Sequence, residues 1–546
     1  MKSFKKIITG LSMAVIFVSC SKSLENEPLE RISEDLVFDN IDKNADYAKQ
    51  FLSGVYLQLP DGYNRVSANF LDAGTDDAVP SQEGTSVEGF RTGLVSGQNV
   101  PDNTWARNYT GIRRANMFLS KIDVVPTTDE LKVQWKAEAR FLRAYFYFEL
   151  VKRWGGVPLI GDKIFGLTDN VNLSRNTTAE CYTYILAELE AIKDLLLPVV
   201  VADQNIGRAN KGAALALKSR VLLYMASPQL NPDNNAQKWS DAATAAKNII
   251  DLNNYSLGTD YIALFNSVKH TEIIFMKEQA QNMSVENNNG PIGYVTGSGN
   301  TSPTQNLADA FPMKNGKMPA ESGSTFDPAN PYANRDPRFA ATLMFNTTKW
   351  LNRPVETFDG GMDRPGGTRT QTRTGYYLRK FMGKFESSGN YSNQNHHVIL
   401  FRYAEILLNY AEALNEVSGP VKDVTDAVIL IRKRAGITAG TNNRYGISET
   451  ITKEQMRDLI RNERRIEMAF EEQRFWDIRR WKIAEIVLNQ PVRGVNITKN
   501  TNGTFGYTYK DIATSVFDAG KNYLFPIPYS EIQTNPNMMQ NPGYTY

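Results

Sequence analysis

The chain has 546 residues, 61 Lys+Arg against 59 Asp+Glu, a formal net charge of +2 and 41% hydrophobic residues. This is a globular composition without the concentrated basic face that phosphate binding requires, so no nucleic-acid partner is expected. Three histidines (His270, His396, His397), two cysteines and no CxxC argue against zinc, iron–sulfur and disulfide chemistry, and leave carboxylate chemistry and aromatic-driven binding open.

Lys2, Lys5 and Lys6 precede an apolar run from Ile7 to Val18. The run is shorter than the about 20 residues that a spanning helix needs, and it reads as an export signal over residues 1–19. Its end, Phe17-Val18-Ser19-Cys20, resembles a bacterial lipobox, in which the thiol of Cys20 takes the lipid. Ser21 stands where inner-membrane retention favours Asp, so an outer-membrane anchor is expected. Residues 20–35, with Glu25, Glu27 and Glu30, read as a polar tether. No later segment is apolar enough to cross a bilayer, so the body is expected to be held by buried acyl chains, each CH₂ contributing about 0.8 kcal/mol.

Three-to-four spacing predicts helices from about Thr104 to Trp154, with a break near Pro126 and Thr128 or Asp129 as the second cap. Further helices are predicted over Thr178–Leu197, Lys211–Ala226, Lys238–Leu252, Arg402–Val417, Val424–Ala435 and Glu454–Trp481. Ala137, Ala139, Ala144, Ala213, Ala214, Ala216, Ala404, Ala411 and Ala413 sit where helices approach closely. These are antiparallel pairs of TPR-like size, a scaffold for other segments. Residues 279–397 are rich in Asn, Gly, Thr, Pro and Ser, and residues 55–103 are similar. The expected fold is mainly α: a TPR-like helix-pair scaffold over 36–278 and 398–546 carrying a loop-rich, irregular insert over 279–397.

Several stretches resemble the RagB/SusD family of Bacteroidetes surface lipoproteins: WARNYTGIRRANMFL from Trp105, AEARFLRAYFYFELVKRWGGVP from Ala137, RDPRF from Arg335, FRYAEILLNYAEALNE from Phe401, IRKRAGI from Ile431 and IRNERRIEMAFEEQRFWDIRRW from Ile460. LFPIP from Leu524 with QNPGY from Gln540 completes the series. These signatures read as structural. Acids interleave the bases of the Ile460–Trp481 stretch, and in and just before it Asp458/Arg461, Glu471/Arg474 and Asp477/Arg480 are expected to pair at i,i+3. Phe470, Phe475, Trp476, Trp481 and Trp105 are expected in the core.

The resemblance implies non-catalytic capture of an oligosaccharide, a SusC-like TonB-dependent outer-membrane barrel as partner, and no cofactor. A sugar needs an aromatic plate for its C–H face and polar groups for its hydroxyls, and loops on a rigid scaffold present both. Composition selects Tyr63 with Asn64 and Arg65, Phe90 and Arg91 near Asp76 and Asp77, Tyr294 among Gly290, Gly293 and Gly297, and also Tyr332 and Trp350. Tyr294 leads, because a tyrosine in a Gly/Asn-rich loop has no obvious core to fill. Two other readings stand beside this one: a carboxylate-based glycoside hydrolase, for which Asp76-Asp77 is the adjacent acidic pair, and peptide capture of the RagB kind. GxSxG, HExxH and P-loop motifs are absent, and no EF-hand-like spacing marks a calcium site.

Overall fold

The computed structural model describes residues 37–366 and 371–545, so the export signal, Cys20 and the tether lie outside the described residues. The longer helices are α1 (Asp46–Tyr56), α2 (Trp105–Lys121), α3 (Asp129–Trp154), α4 (Thr178–Ile192), α5 (Lys211–Ala226), α6 (Ala236–Ile250), α7 (Tyr403–Ser418), α8 (Lys422–Ala435), α9 (Lys453–Glu467) and α10 (Gln473–Arg480). The protein is mainly helical, as the sequence predicts. Helix α2 packs on α3, α3 on α4, α5 on α6, and α7 on α6, α8 and α9. The last helical group therefore docks directly on the first. Strand β2 (Ile273–Lys277) pairs antiparallel with β4 (Val398–Arg402), and the residues between them run out and return through this pair.

Helix α3 is buried on nearly every side from Trp135 to Trp154, which places it centrally rather than at the surface. Thr128 accepts the N–H of Leu131 as its cap, and Gly155, at φ +71°, ends it. A Cβ on Gly111 in α2 would lie 2.4 Å from the Phe146 ring, so a glycine is what allows α2 to approach α3 this closely. Ala213, Ala214 and Ala216 on α5 and Ala411 and Ala413 on α7 are buried in the same core.

The predicted helix over Glu454–Trp481 is two helices. Phe470 and Glu472 adopt left-handed φ values of 61° and 63°, and the chain turns between α9 and α10. The expected Glu471/Arg474 pair spans this turn and does not form. Glu471 accepts from Lys380 and Arg402, each at 2.7 Å, while Arg474 reaches Asp76 at 2.9 Å. Asp477 and Arg480 do pair, at 2.8 Å. Arg461 lies over the Trp481 ring at 4.9 Å. The turn lets Arg464 fold back to Asp477 at 2.8 Å and to Asn409 at 2.7 Å.

The signature residues build an interior charge network. Glu467 accepts from Arg338 at 2.9 Å and Arg402 at 2.7 Å, and from Arg434, and Glu412 holds Arg480 at 2.6 Å. Arg335 of RDPRF donates to the carbonyls of Phe311 and Pro331, and Asp336 caps the short helix Pro337–Thr342. Buried pairs of this kind fix geometry more than they add net stability.

Candidate functional site

The loops meet at a short ladder. Strand β1 (Ala78–Pro80) pairs antiparallel with β3 (Thr301–Pro303), with Pro80 opposite Thr301. The N–H of Ser81 donates to Asn300 O at 2.7 Å, and the hydroxyls of Ser81 and Ser302 are 2.6 Å apart. The loop after Pro80 and the loop before Thr301 therefore leave side by side. Arg373 joins them: its N–H donates to Ser302 Oγ at 3.2 Å, and its guanidinium reaches Glu88 at 2.9 Å and Glu83 at 3.0 Å. Glu83 is exposed. Two regions more than two hundred residues apart thus form one loop face.

Tyr294 lies in the loop that precedes Thr301, with its hydroxyl turned inward. Its hydroxyl donates to Trp350 O at 2.7 Å, and the guanidinium carbon of Arg353 stands 3.7 Å from its ring centroid. Asp363, fully buried, holds Arg353 at 2.7 Å and accepts the N–H of Gly293 at 2.9 Å. The hydroxyl of Tyr294 is pushed well above its ordinary range by burial, although Arg353 pulls the other way. Around this stack, Val295 is 101% exposed and Met362 52%. A Cβ on Gly293 would lie 2.6 Å from Arg353 Nη2 and 3.0 Å from Met362 Cβ, which puts these side chains in one patch.

The expectation that Tyr294 has no core to fill does not hold, and the other selected aromatics are also packed on the core. Tyr294 is 8% exposed and Trp350 0%. Trp350 donates Nε1–H to Tyr391 at 2.9 Å and carries Arg379 on its ring. Tyr63 stacks on Phe381 at 4.1 Å, donates to His397 O and accepts the N–H of Ile399. Phe90 sits between Phe475 and Phe525, and Arg91 is buried against Ser515 and Glu88. Tyr332 is half-buried on Phe339 and Phe345. The helices and ladders of the insert are short, and its rings act as additional anchors. Asn64 is half-buried, and its neighbour Arg65 is bound to Asp102 and Glu472.

Asp76 and Asp77 are also inside. Asp76 accepts from Arg474 and Arg465, and Asp77 from Arg465 at 2.6 Å. Burial alone would raise the Asp76 carboxyl, but the two guanidinium groups hold it at about 2. Burial raises Asp77. This pair ties the first loop to α9 and α10, and its geometry fits neither sugar hydroxyls at a surface nor a hydrolytic acid and nucleophile flanking a bond.

A charged cavity of about 60 Å³ lies under Tyr63, lined by Glu149, Lys152, Arg220, Arg402 and Glu471. It has room for a few waters and is far below the several hundred Å³ of a typical ligand pocket. Among the described residues, no group of three or more His, Cys, Asp or Glu is placed to hold a metal ion. Sequence reasoning missed Arg353, Asp363 and Arg373, because a lone Arg in a Gly/Pro-rich loop carries no periodic signal.

Comparisons with known proteins agree with this architecture. The profile described as the SusD family matches residues 271–544, and one described as "Starch-binding associating with outer membrane" matches residues 48–223. SusD-like protein P2 of Formosa agariphila is 27% identical over 567 aligned positions that cover 100% of both chains. The crystal structure of a SusD-like protein from Bacteroides fragilis superposes with a TM-score of 0.77 at 30% identity, covering 93% of this chain and 98% of that one. A second B. fragilis structure, described as a SusD-like carbohydrate binding protein, gives 0.79 at 25% identity over 92% of this chain and 100% of that one. The chain belongs to the SusD family.

Proposed function

We propose that this protein is a cell-surface glycan-binding lipoprotein. It captures an oligosaccharide on the loop face around Arg353 and Tyr294 and passes it, unaltered, to a SusC-like TonB-dependent outer-membrane barrel. The observation that supports the reading is the Arg353–Tyr294 stack beside exposed Val295 and Met362, in a SusD-family chain whose β1–β3 ladder brings the neighbouring loops together. The guanidinium donors suit sugar hydroxyls, and the apolar side chains suit the C–H face. Trp350 O anchors the Tyr294 hydroxyl beneath Arg353. The description of one B. fragilis relative as carbohydrate-binding supports the same class of ligand. Cys20 supplies the lipid anchor, and residues 20–35 supply the reach from the membrane.

The test is a glycan array and affinity gels with the purified full chain. At least one oligosaccharide is retained and recovered intact. Retention of none, or release of new reducing ends that purified protein alone produces, would sink the reading. Cys20→Ser is expected to abolish fatty-acid labelling and to release the protein from the outer membrane. Cross-linking on intact cells is expected to capture a TonB-dependent barrel.

A further inference from the structure

A second aromatic surface lies beside the loop face, on the C-terminal hairpin. Strand β5 (Val492–Lys499) pairs antiparallel with β6 (Phe505–Ala513), with Phe505 opposite Lys499, Tyr507 opposite Ile497 and Tyr509 opposite Val495. Directly opposed residues share one face of a ladder. On that face Val495 and Ile497 are fully buried, whereas Phe505 and Tyr507 are half-buried and Tyr509 is 45% exposed. Strand β5 therefore lies on the body, and β6 projects past it as a ledge with its rings on the inner side.

The ledge continues the loop face. Phe505 packs 5.7 Å from Phe358, in the segment that carries Arg353 and Asp363, and the N–H of Asp359 donates to Ile497 O at 2.7 Å. Tyr507 stands edge-on to Tyr332 at 5.5 Å. The outer end is polar: Asp309 and Arg493 pair at 2.6 Å with both side chains 43% exposed, and both charges act on the Tyr509 hydroxyl.

We propose that this ledge binds the continuation of a linear polysaccharide whose end or branch sits at the loop face; the proposal rests on the glycan reading above. Rings at i, i+2 and i+4 of a strand recur at about 6.8 Å, so an extended polymer laid along β6 meets a ring repeatedly. Half-open rings bordered by a carboxylate, a guanidinium and hydroxyls match a polymer that is apolar on its ring faces and hydroxylated on its rim. A dry protein interface would instead desolvate Asp309 and Arg493, which is costly. Among the described residues the outer edge of β6 has no strand partner and also offers pairing to a second copy of the chain, and the test separates the two.

Purified full chain is screened by affinity electrophoresis against starch, laminarin, xylan, pectin and mannan. Oligosaccharides of three and of eight or more units are then prepared from the one retained. Tyr509→Ala, and Tyr507→Ala with Tyr509→Ala, are expected to weaken the long chain at least about fivefold and to leave the trisaccharide within about twofold. Tyr509→Trp retains long-chain binding. Arg353→Ala weakens both lengths. Wild-type affinity of Tyr509→Ala for the long chain overturns the ledge while the loop face stands. Equal loss for both lengths in Tyr509→Ala also overturns it. Loss of a sedimenting dimer in the variants, with polymer binding intact, assigns the edge to self-association instead. A wild-type chain that retains no polysaccharide overturns both readings.

Discussion

The guanidinium of Arg353 covers the ring of Tyr294 at 3.7 Å, and Asp363 holds it there at 2.7 Å. The tyrosine is thus capped from outside by a cation and pinned from inside through its hydroxyl to Trp350 O. A ligand bound as proposed would meet the arginine first, with the ring beneath it. Tyr294 and Arg353 should consequently both support the fold, and of the two only Arg353 should meet a ligand. Tyr294→Ala is expected to cost about 3 kcal/mol of stability, because a buried ring and its hydrogen bond are lost together. Arg353→Ala strips the fully buried Asp363 of its guanidinium partner, so it is expected to cost about 3 kcal/mol and to weaken glycan binding at least tenfold, about 1.4 kcal/mol. Urea denaturation and calorimetric titration measure the two quantities. Unaltered affinity in Arg353→Ala removes it from the contact surface.

Asp76 gives an acid-stability prediction. Its folded carboxyl is held at about 2 by Arg465 and Arg474 despite burial, against about 3.9 when unfolded. A depressed carboxylate contributes stability that is complete above the unfolded value and is lost as pH falls through the folded one. The loss therefore runs from about pH 4 to pH 2, on the order of 2 kcal/mol for this group. Arg474→Met removes one guanidinium and leaves Asp76 buried with Arg465, at a cost of about 3 kcal/mol at pH 7. Its acid-unfolding midpoint should move upward. A midpoint that stays in place would show that the pair contributes nothing to folding.

The scaffold was legible because its signals are local and periodic. Thr128 before Asp129, the alanines of α5 and α7 and the glycine stop at Gly155 all follow from helix chemistry read along the chain. The turn at Phe470–Glu472 was not, since neither residue favours a left-handed backbone and only tertiary contacts impose it. The loop face was illegible for a different reason. Ser81 and Asn300 adjoin only through a three-residue ladder, and nothing in either sequence marks the other as partner. Composition drew attention to Tyr294, Trp350 and Phe90, but it does not distinguish a ring that greets solvent from one that anchors a loop. The alternating F-G-Y-T-Y at 505–509 was a readable strand signal that passed unused.

Gly111 tests the close approach of α2 to α3. A Cβ there would stand 2.4 Å from the Phe146 ring, and Phe146 is itself fully buried on the central helix. Ala favours a helix over Gly by up to about 1 kcal/mol. The clash acts against that gain and exceeds it in a packed interior, where overpacking costs about 1–3 kcal/mol. Gly111→Ala is expected to lower the melting temperature, and Gly111→Val to lower it further. A rise in melting temperature for the alanine variant would mean that the Phe146 ring gives way at little cost.

Lys380 supplies the opposite pH dependence. It is buried at the turn after α9, donating to Ala469 O at 2.7 Å and to Glu471 at 2.7 Å. Burial lowers its folded value to about 8, with Glu471 opposing and Arg402 reinforcing; the unfolded value is about 10.4. Between those limits the unfolded chain binds the proton more tightly, so stability rises with pH through this window. The gain from Lys380 is on the order of 2 kcal/mol, complete near pH 10. Lys152, also held at about 8 by burial, adds to it. Above about pH 10 the buried tyrosines reverse the trend, because their folded values are raised. Tyr63, for example, is pushed well up by burial. The urea midpoint of the wild type should therefore climb from pH 7.5 to about 10 and fall beyond it, with a shallower climb in Lys380→Met. Parallel curves for the two proteins would show that Lys380 keeps an ordinary proton affinity inside the fold.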